Sequence, residues 1–301
     1  MSFVVGRVCI VDFVRYMSIL VEKIDAMLAR PDTLSPQMFQ RVILDFYRTN
    51  GRTFAWRTTT NAYRIAVSEV MLQQTQTERV SEKYPPFIKR FPTWKSLAKA
   101  TTAEVISMWQ GLGYYRRALH LHRAAKVISE QYHGRLPGSV KELQAIPGFG
   151  PYTSAAVLTF SKNEPLPMLE TNIRDLYLYT FFSGINGVHD REILEKVRQT
   201  IYHRDPRRWF YALMDAGVEL KRARKGTNRR SRHYTRQSAF MGSTRQVRAA
   251  VLKLLAERGP LNLLSIAGQL AFGQDQIEVA LEALCRDGFI SPAAGARYRL
   301  T

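Results

Sequence analysis

Apolar residues recur along most of this chain at intervals of three and four, the spacing of one face of an α-helix. Phe39, Val42, Ile43 and Phe46 mark an amphipathic helix over residues 35–47. The same period predicts helices over 65–80, 82–90, 93–99, 102–110, 116–131 and 140–146, separated by Pro, Gly and Thr punctuation. It resumes over 172–182, 190–202 and 206–219. No convincing apolar–polar alternation precedes residue 285, so the body is predicted to be all-α. Residues 243–301 read as a separate small unit, with helices over 247–258, 263–271 and 275–287. Its tail, Phe289-Ile290-Ser291 followed by Arg297 to Leu300, can pair as a hairpin.

The pattern is interrupted most sharply between Leu143 and Asp175, in LQAIPGFGPYTSAAVLTFSKNEPLPMLETNIRD. One helix ends near Ile146, Pro147-Gly148-Phe149-Gly150 makes a short turn, and a second helix starts near Pro151. Gly148 and Gly150 can take the positive φ that so short a turn demands. Pro151 suits a first helical turn, where its missing N–H is no loss. The product is a helix–hairpin–helix whose outward N–H groups suit an anion such as a DNA phosphate. Taken alone, PGFG also fits an ordinary connection between two core helices.

Composition narrows the classes. A chain of 301 residues with 46% hydrophobic residues can bury a core without crosslinks. Its net charge of +19 calls for an anionic partner, nucleic acid before membrane, in an association that weakens with salt. Two cysteines, Cys9 and Cys285, make neither a disulfide framework nor an iron–sulfur site, and fit a reducing compartment. No run of about eighteen apolar residues supports a transmembrane helix. The apolar N-terminal stretch is broken by Arg7, Asp12 and Arg15, unlike a secretory signal, and Met17 is an alternative start.

Four further segments accompany the hairpin: Phe54-Ala55-Trp56-Arg57, SEVMLQQTQ over 68–76, GLGYY over 111–115 and LETNIR over 169–174. In this order and at these spacings they resemble the helix–hairpin–helix DNA glycosylases, above all the adenine-specific mismatch glycosylases of the MutY type. The resemblance covers about residues 37–217. It implies a two-lobed body over 34–220 with a cleft between lobes, a six-helix lobe over about 62–165 and a second lobe from 34–61 and 166–220. Residues 1–33 stand outside it as an N-terminal extension. The family continues into four cysteines that hold a [4Fe–4S] cluster, where this chain has Val218-Glu219-Leu220-Lys221-Arg222-Ala223-Arg224-Lys225. It therefore resembles a clusterless member, for which no cofactor is expected beyond a monovalent cation at the hairpin carbonyls, and no metal. The family's C-terminal domain that reads 8-oxoguanine is unrecognisable.

Cutting a base from deoxyribose needs an acid for the departing base and an anion for the oxocarbenium-like sugar. Glu69 falls at the family's general acid, beside apolar Met71 and Leu72, where desolvation would raise its pKa. An isolated helix glutamate would instead face solvent. Tyr152 falls where bifunctional relatives carry a Schiff-base lysine, so no lyase activity is expected; the resemblance makes it orient the acid, whereas on its own it reads as a half-buried helix residue. Glu170 departs from the family's Asp. The longer side chain keeps the charge, but a displacement of about 1 Å at a reacting centre can cost roughly a hundredfold. Asn172 matches a residue that positions water and carboxylate, and equally suits a helix cap. The resemblance assigns Trp56, Arg57 and Leu72 to the base pocket, Gln74 to a wedge in the duplex, and Tyr114 to stacking beside the opposite base. For an aromatic residue the default is core packing. Gly148, Gly150 and Thr153 would grip phosphate.

The basic run KRARKGTNRRSRHYTR, within 221–242, reads either as a solvated linker or as a phosphate-contacting strap carrying Arg229, Arg230 and Arg232, partly docked through Tyr234 and Phe240. The 243–301 unit resembles a winged helix. Its third helix carries Asp275, Glu278, Glu282 and Asp287, which repel phosphate, so the unit reads as a packing or accessory module of unknown partner. The expectation is a monomeric, cytoplasmic, nucleoid-associated glycosylase of mispaired adenine in duplex DNA, with no membrane partner. Removal of thymine or uracil opposite guanine, and an inactive DNA-binding protein, stay open beside it.

Overall fold

The computed structural model describes residues 20–26, 28, 35–224, 227–233 and 241–301. The alternative start at Met17, most of the 1–33 extension, Lys225, Tyr234 and Phe240 lie outside the described residues. The chain divides into two compact units, one from the segments ending at Thr53 and spanning Leu158–Thr235, the other from Phe54–Val157 and Arg236–Thr301. Among the described residues no helix is long and apolar enough to cross a membrane.

The second of these units holds helices α2 (Ala62–Leu72), α3 (Thr77–Arg90), α4 (Trp94–Lys99), α5 (Thr102–Met108), α6 (Arg116–Gln131) and α7 (Val140–Gln144), and the first turns of α8 (Pro151–Lys162). Side-chain caps start most of them. Asn61 accepts from Arg64 N, Ser139 accepts from Glu142 N, and Thr93 and Thr101 each open a capping box. The core is aromatic, with edge-on pairs Tyr63–Trp94, Phe87–Phe91 and Phe87–Trp109. One helix expected over 65–80 is in fact two, broken at Gln73–Gln76, and the second runs through Pro85-Pro86. Both prolines are exposed, so the carbonyls that lose their helical N–H partners face water.

The C-terminal part of the same unit comprises α12 (Thr244–Arg258), α13 (Leu263–Ala267) and α14 (Gln274–Arg286), with strands β1 (Leu261–Asn262), β2 (Ile290–Ala293) and β3 (Arg297–Leu300). The strands form an antiparallel sheet in the order β1-β3-β2. The hairpin of β2 and β3 falls where the tail pattern put it, and β1, two residues long, was not visible as alternation. Val247, Val251, Leu255, Ile277, Leu281 and Phe289 share one buried cluster with Ile106 of α5 and Leu119 of α6. The helices and hairpin thus share a core with the preceding bundle.

The other unit packs α1 (Pro36–Asn50), α9 (Thr171–Phe181), α10 (Asp190–Gln199) and α11 (Pro206–Ala223) around Phe39, whose ring meets Tyr177, Phe181 and Trp209 edge-on. Part of the basic run is docked here. Thr227–Arg230 forms a 3₁₀ turn, and Ser231 pairs with Val188 in a parallel bridge.

Candidate active site

Helix α2 is buried from Ile65 to Met71, which carries Glu69 into an apolar setting at 5% exposure. The solvent-facing alternative for this residue is thereby set aside. Tyr152 stands on the first turn of α8, directly after Pro151, and its hydroxyl donates to Glu69 Oε2 at 2.8 Å. Gly148 in the hairpin has φ +85°, and a Cβ there would lie 2.8 Å from His120 Cβ, so a side chain is excluded on two grounds. Gly150 departs from expectation: its φ is not in the left-handed region, and a Cβ on it would meet open space. Thr153 departs too. It is 2% exposed, and its hydroxyl accepts from Gln73 Nε2 at 3.2 Å rather than facing outward.

Trp56 is 3% exposed, stacked parallel on Phe54 with ring centres 4.8 Å apart and edge-on to Tyr84. The packing default therefore holds for Trp56 itself. Phe54, half-buried, also carries the Arg57 guanidinium 5.2 Å from its ring centre, a part in the FAWR segment that sequence reasoning left unassigned. Leu72, half-buried, closes α2.

Two loops follow from one arginine. Arg117 Nη1 donates to the carbonyls of Val70, Met71 and Gln73, and its Nη2 to Thr75 Oγ1 at 3.0 Å and to the carbonyls of Leu112 and Gly113. Burial lowers its pKa to about 10. That buried fork ends α2 and clamps the Gln73–Gln76 loop to GLGYY. In each loop one non-glycine residue is forced into the left-handed region, Gln74 at φ +58° and Tyr114 at φ +49°. Both are exposed, Tyr114 at 39%. Sequence reasoning missed Arg117, because in Arg116-Arg117 at the start of α6 nothing local tells the buried arginine from its exposed neighbour.

In the other unit Glu170 is the N-cap of α9. Its Oε1 accepts from Ile173 N at 2.8 Å and its Oε2 from Asn172 Nδ2 at 3.1 Å. The residue as a whole is half-buried, yet its carboxyl is crowded by protein, and desolvation raises its pKa against the opposing pull of the Asn172 and Ile173 N–H groups and Arg174. Arg174 is itself held by Asp190 at 2.9 and 2.7 Å. A Cβ on Gly217 of α11 would overlap the Asn172 carbonyl oxygen and lie 2.6 Å from its carbonyl carbon, so only glycine lets the two helices meet here. Gly217 was also missed, because a glycine inside a helix reads only as a penalty.

The strap arginines divide. Arg230 turns inward, donating to the carbonyls of Phe182 at 3.0 Å and Leu178 at 2.9 Å at the end of α9. Arg229 is exposed, and Arg232 Nη1 lies 2.8 Å from His189 Nε2. A four-thiolate cluster does not fit the residues present, since the chain has two cysteines and α11 ends in Lys221 and Arg222. Among the described residues no His, Cys, Asp and Glu grouping could hold a metal ion.

Residues 67–201 match the model of the HhH-GPD superfamily base excision DNA repair proteins. The chain is 30% identical over 281 residues to an adenine DNA glycosylase of Mycolicibacterium smegmatis, covering 86% of this chain and 94% of that protein. It is 34% identical over 185 residues to an adenine DNA glycosylase of Buchnera aphidicola, covering 60% of this chain and 52% of the relative, so it spans about half the length of that protein. A solved structure of a thermostable thymine-DNA glycosylase is 26% identical with a TM-score of 0.57, over 61% of this chain and 86% of that one.

Proposed function

This chain belongs to the adenine DNA glycosylases of the HhH-GPD superfamily, and on that premise we propose that it hydrolyses the N-glycosidic bond of a mispaired adenine, opposite 8-oxoguanine or guanine, in duplex DNA. The observation that carries the reading is the 2.8 Å hydrogen bond from Tyr152 to the buried Glu69. It fixes one carboxyl oxygen and so sets the direction in which the carboxyl delivers its proton to the departing base. The base leaves with the bonding pair, and the carboxylate of Glu170 stabilises the cationic sugar that remains. Asn172, bonded to that carboxylate, orients it and the attacking water. Asp is one methylene shorter, but Glu170 folds back to cap α9, where the helix N-terminus favours its charge.

Gln74 fills the gap in the stack and Tyr114 stacks beside the opposite base, which supplies a reason for their left-handed backbone. Phe54, Arg57 and Leu72 line the base pocket with Trp56 packed behind them. The N–H groups at Gly148 and Gly150, with a monovalent cation on the hairpin carbonyls, grip one phosphate, and Arg229 and Arg232 contact phosphate elsewhere on the duplex. With tyrosine at 152 no imine forms, so the product keeps an intact backbone until alkali is added.

Single-turnover incubation with A:8-oxoG, A:G, T:G and U:G duplexes, followed by alkali, tests the reading. Cleavage of the adenine duplexes is expected, and Glu69→Gln should abolish it; a Glu69→Gln variant as fast as wild type would remove the acid from the mechanism. A second reading, removal of thymine or uracil opposite guanine, is favoured by the likeness to the thymine-DNA glycosylase and is settled by the T:G and U:G arms.

A further inference from the structure

The C-terminal unit does not present one kind of surface. Helix α14 carries Asp275, Glu278 and Glu282, whereas the first turns of α12 carry Arg245 and Arg248. These two arginines, with Arg79 and Arg116, line a groove of about 1000 Å³ that also takes in Gln74 and Tyr114. Arg245 Nη1 donates to the Tyr114 hydroxyl at 3.1 Å, and its guanidinium lies 5.9 Å from the centre of that ring. Arg248 is held at 2.6 Å by Asp287.

We propose that this groove takes the DNA strand opposite the excised adenine, at the 8-oxoguanine or guanine facing the extruded base, and that Arg245 is a positioning residue that sets Tyr114 against it. The inference rests on the glycosylase reading of the wedge and stacking loops. A groove carrying several guanidinium groups matches a phosphodiester backbone in charge, and an exposed tyrosine ring offers a stacking face for a base. An arginine on the phenol oxygen narrows the motion of that ring before DNA arrives, so less ordering remains to be done on binding. The unit therefore acts through its first helix rather than through the acidic third helix, which a winged helix ordinarily lays in the major groove.

The test uses the full chain and labelled duplexes with adenine opposite 8-oxoguanine, guanine or a tetrahydrofuran abasic analogue. Arg245→Ala should weaken binding by about tenfold where a base faces the adenine, and far less where that base is missing. Its salt slope should stay close to that of wild type, because the arginine acts on Tyr114 rather than on a phosphate. Arg245→Lys should keep the charge without restoring the base-dependent ratio, because an ammonium lacks the planar fork. Tyr114→Phe, which keeps the ring and removes the bonded oxygen, should reproduce the loss of ratio. Arg258→Ala, on the same helix but away from the groove, should match wild type. The proposal is overturned if Arg245→Ala binds all three duplexes as wild type does, or loses affinity equally for all three. Wild type that cleaves no adenine duplex would sink the glycosylase reading, whereas the binding ratio needs no cleavage and still decides the groove.

Discussion

Gly217 and Asn172 meet backbone to helix so closely that a methyl group on the glycine would overlap the asparagine carbonyl. Gly217→Ala must therefore push α9 and α11 apart where α9 begins, at the capping carboxylate of Glu170. Overpacking of this kind costs about 1–3 kcal/mol. The movement reaches the reacting carboxylate, where about 1 Å is worth roughly a hundredfold in rate. The expected outcome is a lowered melting temperature and a much reduced single-turnover rate with DNA binding nearly intact. A variant with wild-type rate would show that the contact relaxes away from Asn172.

The raised pKa of Glu170 has a definite sign in stability. The native state holds this proton more tightly than the unfolded chain, so stability falls as pH rises through the carboxylate range and levels off above the folded pKa. Glu170→Gln keeps an oxygen for the Ile173 N–H and removes the buried charge. The variant should be inactive, more stable than wild type at neutral pH, and no more stable once the pH drops below the unfolded carboxylate value. Melting curves across that range, with parallel curves at all pH values as the adverse result, check it.

Arg117 supplies donors to carbonyls of two loops from one buried fork. Arg117→Met leaves those carbonyls without their partner, a loss on the order of 3 kcal/mol or more. Arg117→Lys should recover only part of it, since three tetrahedral donors do not reproduce a planar fork. Both variants should increase hydrogen exchange at residues 73–76 and 111–114 before the rest of the unit; protection lost uniformly would deny the arginine its local role.

The sequence made the helices, the hairpin, the C-terminal wing and the Glu69–Tyr152 partnership legible, because each rests on local period, turn chemistry or a recognised motif. What it hid is long-range. The break of α2 at Gln73 is imposed by Arg117 from another helix, and nothing in SEVMLQQTQ itself forbids continuing the turn. Thr153 and Arg230 were expected to face phosphate, and each is turned to a partner far off in sequence, Gln73 and the end of α9 respectively. Gly150 was expected to need a left-handed backbone, which only Gly148 of the pair adopts. Strand β1 is too short to show alternation.

Gln74 holds a left-handed backbone that costs an L-residue about 1 kcal/mol and costs glycine nothing. Gln74→Gly should therefore raise the melting temperature by a few degrees while slowing base removal, because the proposed wedge is gone. A variant that gains stability with no loss of rate would take Gln74 out of the mechanism.

Ile106 and Leu119 complete the hydrophobic cluster of α12 and α14. A protease cut or stop codon just ahead of α12 would leave two greasy side chains bare on the surface of the preceding bundle, inviting aggregation rather than releasing a minimal enzyme. The chain's last segment is thus no removable passenger: it matures together with the helices it covers, and damage to either is felt by both.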